Sequence, residues 1–173
     1  MAVLTVRLYG DPVLRQVAEP VREITPEVKR IIADMTETMW HQVGIGLAAP
    51  QVGLSHRILV MDDGKGDAQA LLNPVIEGRS GTVREEEGCL SLPGIFAEVE
   101  RSKSVKVAAL DADGRPVSFE ASGLKARVVQ HELDHLDGIL FIDLLPPVMR
   151  DRIKKKIQKE GVPKETGHHA FAL

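Results

Sequence analysis

Apolar positions along this chain repeat with a helical period near its start and twice toward its end, and with shorter runs between. Val28, Ile31, Ile32, Met35 and Met39 fall on one helical face, which predicts a helix over Pro26–His41. Thr25 suits its N-cap and Pro26 its first position, while Gly44 and Gly46 end the pattern. Leu124, Val128 and Val129 mark the buried face of a second helix from Gly123 to Asp137, with Gly138 as its C-terminal cap. Pro146-Pro147 opens a third, Val148 to Lys159, which Gly161 stops. Between them lie short strand-like runs: Arg57 to Met61, Ala70 to Ile76 (bent by Pro74), Val83 to Leu90, Phe96 to Glu100, Ser104 to Leu110 and Val117 to Ala121. Pro93-Gly94 and Asp113-Gly114 supply turns between them. Strands this close together favour antiparallel sheets, so the expected fold class is α+β, with antiparallel or mixed sheets around the second helix. A single catalytic domain over 1–173 is expected, its tail from about 162 loosely held.

Composition narrows the class without naming a chemistry. The chain is 43% hydrophobic and 27% charged, an ordinary globular balance. No apolar run approaches the roughly 20 residues of a membrane span, and Met1 to Asp11 carries no secretory pattern, so a cytoplasmic protein is expected. A net charge of -3 and 3% aromatic residues give no basis for a DNA or membrane partner. The one cysteine, Cys89, has no partner within the chain for a disulfide.

The chemistry concentrates in His131-Glu132-Leu133-Asp134-His135. On a helix, His131 and His135 stand one turn apart and can hold one metal ion, with Glu132 beside them to move a proton to or from a bound water. A catalytic site of this kind takes three protein ligands. A long protease version of the motif needs a histidine where this chain has Phe141, and that group is excluded. Glu160 and Glu165, in the polar C-terminal region, are poor third ligands. Cys89 is a better candidate, although locally a small buried thiol and a nucleophile remain open readings. The segment Gly44-Ile45-Gly46-Leu47-Ala48-Ala49-Pro50-Gln51 lacks the Lys-Ser/Thr of a phosphate loop. Its small residues suit close backbone approach, and Gln51 reads either as a surface amide or as an oxyanion donor.

Three segments together resemble the signature motifs of the peptide deformylases, in order and spacing. They are Gly44 to Gln51, Glu87-Gly88-Cys89-Leu90-Ser91, and Gln130-His131-Glu132-Leu133-Asp134-His135. The wider resemblance runs from about Arg7 to Leu145, and the compact C-terminal helix resembles the shorter bacterial type. It implies removal of the N-formyl group from the initiator methionine of nascent polypeptides, with release of formate. By resemblance, Cys89, His131 and His135 bind one divalent ion, usually Fe²⁺, with Zn²⁺, Ni²⁺ or Co²⁺ able to substitute. Glu132 becomes general base and then general acid as metal-activated water attacks the formyl carbon. The Gln51 side chain and the Leu90 N–H meet the oxyanion. Gly44, Ile45, Gly46, Leu124 and Val128, with His131, line the substrate site. Retention of Cys89, His131, Glu132, His135 and Gln51 argues against an inactive binding module, and the family expectation is a monomer.

Three positions depart from some relatives: Phe96, where the family often carries Arg, and Lys125 and Arg127, which are expected at the rim of the substrate groove. Glu85-Glu86-Glu87 reads first as a solvated acidic run, with Glu87 close enough to the cysteine motif to orient the site. Lys154-Lys155-Lys156 reads as a solvated helix face or as a contact to ribosomal RNA near the exit tunnel. His168-His169 is read as chance.

Overall fold

A computed structural model describes residues 2–162 and 173. Helix α1 spans Pro26–His41, as its apolar spacing predicts, and the Thr25 hydroxyl accepts the Val28 N–H. Two sheets follow. The larger has strand order β1-β2-β3-β6-β7, from Gly46–Ala48, Ile58–Asp62, Ala68–Ser80, Ser104–Leu110 and Pro116–Ser122. The smaller pairs β4, Val83–Cys89, with β5, Leu92–Arg101. Every pairing within the sheets is antiparallel. Helix α2, Gly123–Leu136, leaves β7 and packs against β1 and β2, and α3 spans Pro147–Glu160. The α+β class with antiparallel sheets is the class the sequence predicts.

Several expected boundaries move, each for a physical reason. Gly46–Ala48 is a strand rather than part of a turn, because it pairs with Leu59–Met61 on the sheet edge. Strand β3 runs well past Ile76, and its bend at Pro74 appears as register shifts on either side of Val75. The β4–β5 turn is Leu90-Ser91, not Pro93-Gly94. Cys89 pairs with Leu92 and Gly88 with Phe96, so Pro93, Gly94 and Ile95 form a bulge inside β5, with Gly94 at φ 76°. Gly138 takes φ 75° after α2, and a Cβ there would lie 2.7 Å from the Arg15 carbonyl oxygen.

Three clusters of buried side chains form the core. Leu59, Met61, Val105, Val107, Val128 and Val129 join α2 to the large sheet. Met35, Met39, Leu47, Ile58 and Leu72 seat α1 on the same sheet. Leu92, Val99, Leu140, Phe141 and Ile142 support the small sheet, with Ile153 and Ile157 of α3 against them. Polar contacts of Glu87 with Arg127 and His131, and of Arg101 with Asp134, tie α2 to the small sheet. Glu160 ends α3 exposed, whereas Glu165 and His168-His169 lie outside the described residues. The expected loosely held tail lies outside the described residues except at 162 and 173, and Leu173 is 1% exposed. No helix among the described residues is long and apolar enough to cross a membrane.

Candidate active site

The i, i+4 spacing turns His131 and His135 to one face of α2, and the β4–β5 hairpin brings Cys89 to meet them. One ligand atom from each of the three lies within 4.8 Å of the others, and all three residues are buried. Cys89 Sγ is 3.4 Å from His135 Nε2. Glu132, fully buried, places Oε1 4.0 Å from the Nε2 of both histidines. Thus a thiol, two imidazoles and a carboxylate converge from two segments about forty residues apart.

Glu87 orients the set. Its Oε1 accepts the Nδ1–H of His131 at 2.8 Å. Arg101 grips the same carboxylate through Nε at 2.7 Å and Nη2 at 2.9 Å, and Arg127 Nη1 adds a third charged donor. Burial opposes this charge, yet the bonds from Arg101 and His131 outweigh it and hold the Glu87 carboxyl far below the usual range. An ionised Glu87 accepts only, so Nδ1 of His131 carries the proton and Nε2 presents a lone pair toward Cys89 and His135. Arg101 also donates to Asp134 at 2.7 Å, tying β5 to the helical motif.

Burial raises the Cys89 thiol, and the charge of Glu132 adds to it. It lowers His131 despite Glu87, and lowers His135 further, where the charges of His131 and Arg101 act in the same direction. It raises Glu132 well above the carboxylate range, and the partial relief from Arg101 does not offset it. Burial alone therefore favours the neutral form of all four groups. A cation among them reverses that preference, because each deprotonated group becomes a ligand or a near counter-charge. His131 Nε2 and both carboxylate oxygens of Glu132 find no hydrogen-bond partner among the described residues. Buried polar atoms without partners cost about 1–3 kcal/mol each, so their convergence fits a bound metal ion.

Gln51 is an interior residue, not a surface amide. Its Oε1 accepts the Ala48 N–H at 2.9 Å, which settles the amide orientation and turns Nε2 inward. Nε2 donates to Ser91 Oγ at 3.2 Å and to Cys89 Sγ at 3.6 Å. The Leu90 N–H donates to the main-chain oxygen of Leu173 at 3.1 Å. Gly46 makes the close approach possible: a Cβ there would lie 2.8 Å from Val128 Cγ1 and 3.0 Å from Glu132 Oε2. Gly44 is backed by Leu90, and Ile45 and Val128 pack in one apolar cluster. Leu124, half exposed, lines a groove of about 430 Å³ with Glu85, Glu86, Arg127 and Leu173.

Two expectations need correction. Glu85 and Glu86 are exposed, but Glu87 is fully buried because two guanidinium groups compensate its charge. Arg127 lines the groove beside Leu124, but it is not exposed there: its side chain is 3% accessible, and it is held by Glu87 and the Val83 and Val99 carbonyl oxygens. Lys125 instead sets its ammonium 4.6 Å over the Phe119 ring. Phe96 lies across Gly88, where a Cβ would meet its ring at 2.3 Å. Arg101 and Ser91 were not among the expected site residues. The available signal for Arg101 was its register, since it continues the buried alternation of Ala97 and Val99.

Three residues that could ligate one ion, a carboxylate without a hydrogen-bond partner and the inward amide of Gln51 fit one class, the hydrolytic centre for a single metal ion. Residues 3–151 match the family model described as polypeptide deformylase. A peptide deformylase of Alkalilimnicola ehrlichii is 48% identical over 162 residues, 92% of this chain and 91% of its own. Among solved structures, the peptide deformylase from Thermus thermophilus aligns with a TM-score of 0.87 and 46% identity, covering 92% of this chain and 96% of its own. That from Synechococcus elongatus, in complex with actinonin, aligns with a TM-score of 0.85 and 40% identity, over 93% and 89%. The chain belongs to the polypeptide deformylase family, metal-dependent amidohydrolases that remove the formyl group from nascent peptides.

Proposed function

We propose that the chain acts as a single catalytic domain in which Cys89, His131 and His135 hold one divalent ion, Fe²⁺ in the native enzyme, with Zn²⁺, Ni²⁺ or Co²⁺ able to replace it. The convergence of those three ligand atoms beside an unpartnered Glu132 carries the reading. The ion, when bound, supplies a nucleophilic water at neutral pH and Lewis acidity at the formyl oxygen. Glu132 takes a proton at a carboxylate oxygen and returns it to the departing methionine nitrogen. Gln51 Nε2 and the Leu90 N–H donate to the oxygen on which charge develops. The backbone at Gly44, Ile45 and Gly46 and the side chains of Leu124 and Val128 receive the formyl-methionyl end of a nascent polypeptide. The apolar contacts of Ile45 and Val128 support a pocket for an unbranched aliphatic side chain.

The decisive experiment loads the protein anaerobically with Fe²⁺, or with Ni²⁺ in air, and measures formate release from formyl-Met peptides. Absence of turnover at full metal occupancy overturns the assignment. The Glu132→Ala variant is expected to keep its metal and lose turnover, and loss of metal in that variant would show the role of Glu132 to be wrong.

The enzyme works as a cytoplasmic monomer that docks near the ribosomal exit tunnel through Lys154, Lys155 and Lys156. Their exposure on α3 supports contact with RNA phosphates. Replacing all three by Glu should abolish salt-sensitive co-sedimentation with ribosomes, and unchanged co-sedimentation overturns the docking.

A further inference from the structure

Leu173, the last residue of the sequence, forms one wall of the groove described above and lies along the strand edge beside Cys89. Its N–H donates to the Gly88 carbonyl oxygen at 3.1 Å, and its main-chain oxygen accepts the Leu90 N–H at 3.1 Å. It thus bonds to the residue before Cys89 and to the residue after it, the pattern of a parallel strand laid beside Cys89. Its side chain is 1% exposed and belongs to the apolar cluster of Ala126, Val128 and Val129, against which Ile45 packs. Strand addition of this kind takes affinity from backbone hydrogen bonds and selectivity from a side-chain pocket. Both components are present at this one residue.

We infer that Leu173 is an intramolecular competitor for substrate, engaging the Leu90 N–H and the apolar cluster that contains Val128, against which Ile45 packs, so that substrate must displace it. The inference rests on the proposed roles of Leu90, Ile45 and Val128. The exclusion is chemical as well as steric. Leu90 has one N–H, and while that donor serves Leu173 it is withdrawn from the oxygen of a bound formyl group. A leucine side chain is close in volume to methionine, so the residue that competes is one the pocket can take. Docking of this kind leaves the reacting groups untouched and lowers only the fraction of enzyme open to substrate.

The test compares the full-length protein with its Leu173→Asp and Leu173→Met variants. With formyl-Met peptides, Leu173→Asp should lower KM and leave kcat unchanged. A docked fraction of about nine-tenths corresponds to an approximately tenfold fall in KM. Leu173→Met should keep the higher KM of the natural chain. Equal KM values in all three proteins overturn the proposal. A KM that rises with enzyme concentration overturns the intramolecular form, since it assigns the docked residue to a second copy. Hydrogen exchange on the zinc-loaded protein gives a readout that needs no turnover. The Leu90 amide should be protected in the natural chain and in Leu173→Met, and should lose protection in Leu173→Asp. Unchanged protection in the Asp variant sinks the docking even if the enzyme is fully active. Absent turnover with a Leu173-dependent Leu90 amide sinks the deformylase assignment alone.

Discussion

Replacing Gly46 with alanine adds a single methyl group where strand β1 meets the catalytic helix. The new Cβ would lie 2.8 Å from Val128 Cγ1 and 3.0 Å from both Cγ and Oε2 of Glu132. Ordinary carbon contacts begin near 3.5 Å, so Val128 must withdraw by about 0.7 Å and Glu132 by about 0.5 Å. The backbone angle at Gly46 is not in the left-handed region, which leaves crowding as the cause of any effect. Overpacking of this kind costs about 1–3 kcal/mol, or roughly 2–10 °C in Tm for a chain of this size. Displacing a proton-transferring carboxylate by up to 1 Å costs about tenfold to a hundredfold in kcat. Metal content should hold, because the atoms nearest the added methyl belong to Val128 and Glu132 and not to Cys89, His131 or His135. Formate release, thermal unfolding and bound-metal analysis on one preparation separate these effects. A second substitution sharpens the test. Val128→Ala in the Gly46→Ala background relieves the shorter contact and leaves Glu132 crowded, so Tm should partly recover while kcat stays low. Full kcat in Gly46→Ala, or recovery of Tm and kcat together in the double variant, refutes the claim that this glycine sets the position of Glu132.

Three further outcomes follow from named contacts. Glu87→Gln removes the buried negative charge that Arg101 and Arg127 share, leaving them only Asp134 and the exposed Glu85, and replaces the charged acceptor of His131 Nδ1–H with a neutral amide. It should destabilise the fold by about 3–5 kcal/mol and weaken metal binding about 10–100-fold, measured by denaturation and by chelator competition. Gly138→Ala forces a side chain into φ 75° and a Cβ to within 2.7 Å of the Arg15 carbonyl oxygen. A loss of more than about 1–2 kcal/mol is expected in urea unfolding, and a loss within a few tenths would mean that the chain after α2 can reroute. Burial raises the Asp143 carboxyl, but the Arg15 hydrogen bond and the Leu140 N–H outweigh it and bring it below its ordinary 3.8. A depressed folded value stabilises the protein above the unfolded value and loses that contribution as pH falls through the folded one. Asp143→Asn should therefore be less stable than the natural chain at neutral pH, the gap closing on acidification below about pH 4; a gap independent of pH would count against the ion pair.

What the sequence made legible was the local part of this architecture. The bounds of α1 were readable because Thr25, Pro26 and five apolar residues act within one helix. The facing of His131 and His135 was readable because helical geometry alone sets it. The strands were located but their ends were not, since ends depend on partners. Pro93-Gly94 looked like the β4–β5 turn, yet the pairing of Cys89 with Leu92 makes it a bulge. Gln51 could not be placed from spacing, because its burial depends on the Ala48 N–H and on Ser91, forty residues away. Glu87 stood in an acidic triplet that most proteins solvate. Only Arg101 and Arg127, brought from another strand and from α2, make its burial tolerable.

That last arrangement explains how a small set of local motifs becomes one site. The hairpin carries Cys89 and Glu87, which lie on the same short stretch and face the same helix. Cys89 is one of the three residues that could hold a metal ion, while Glu87 sets the protonation of His131, the next of them. Arg101 then spans from Glu87 to Asp134, so the strand supporting the cysteine and the helix supporting both histidines share one guanidinium. Movement of the hairpin relative to α2 would break charged hydrogen bonds before it opened the ligand set. The ion-pair network therefore ties the small sheet to the helix, while the Gly88 carbonyl oxygen and the Leu90 N–H at the end of β4 pair with Leu173 as with an extended chain. An ion-pair network on one side of Cys89 and a strand edge paired with Leu173 on the other are both consequences of ending β4 at that residue.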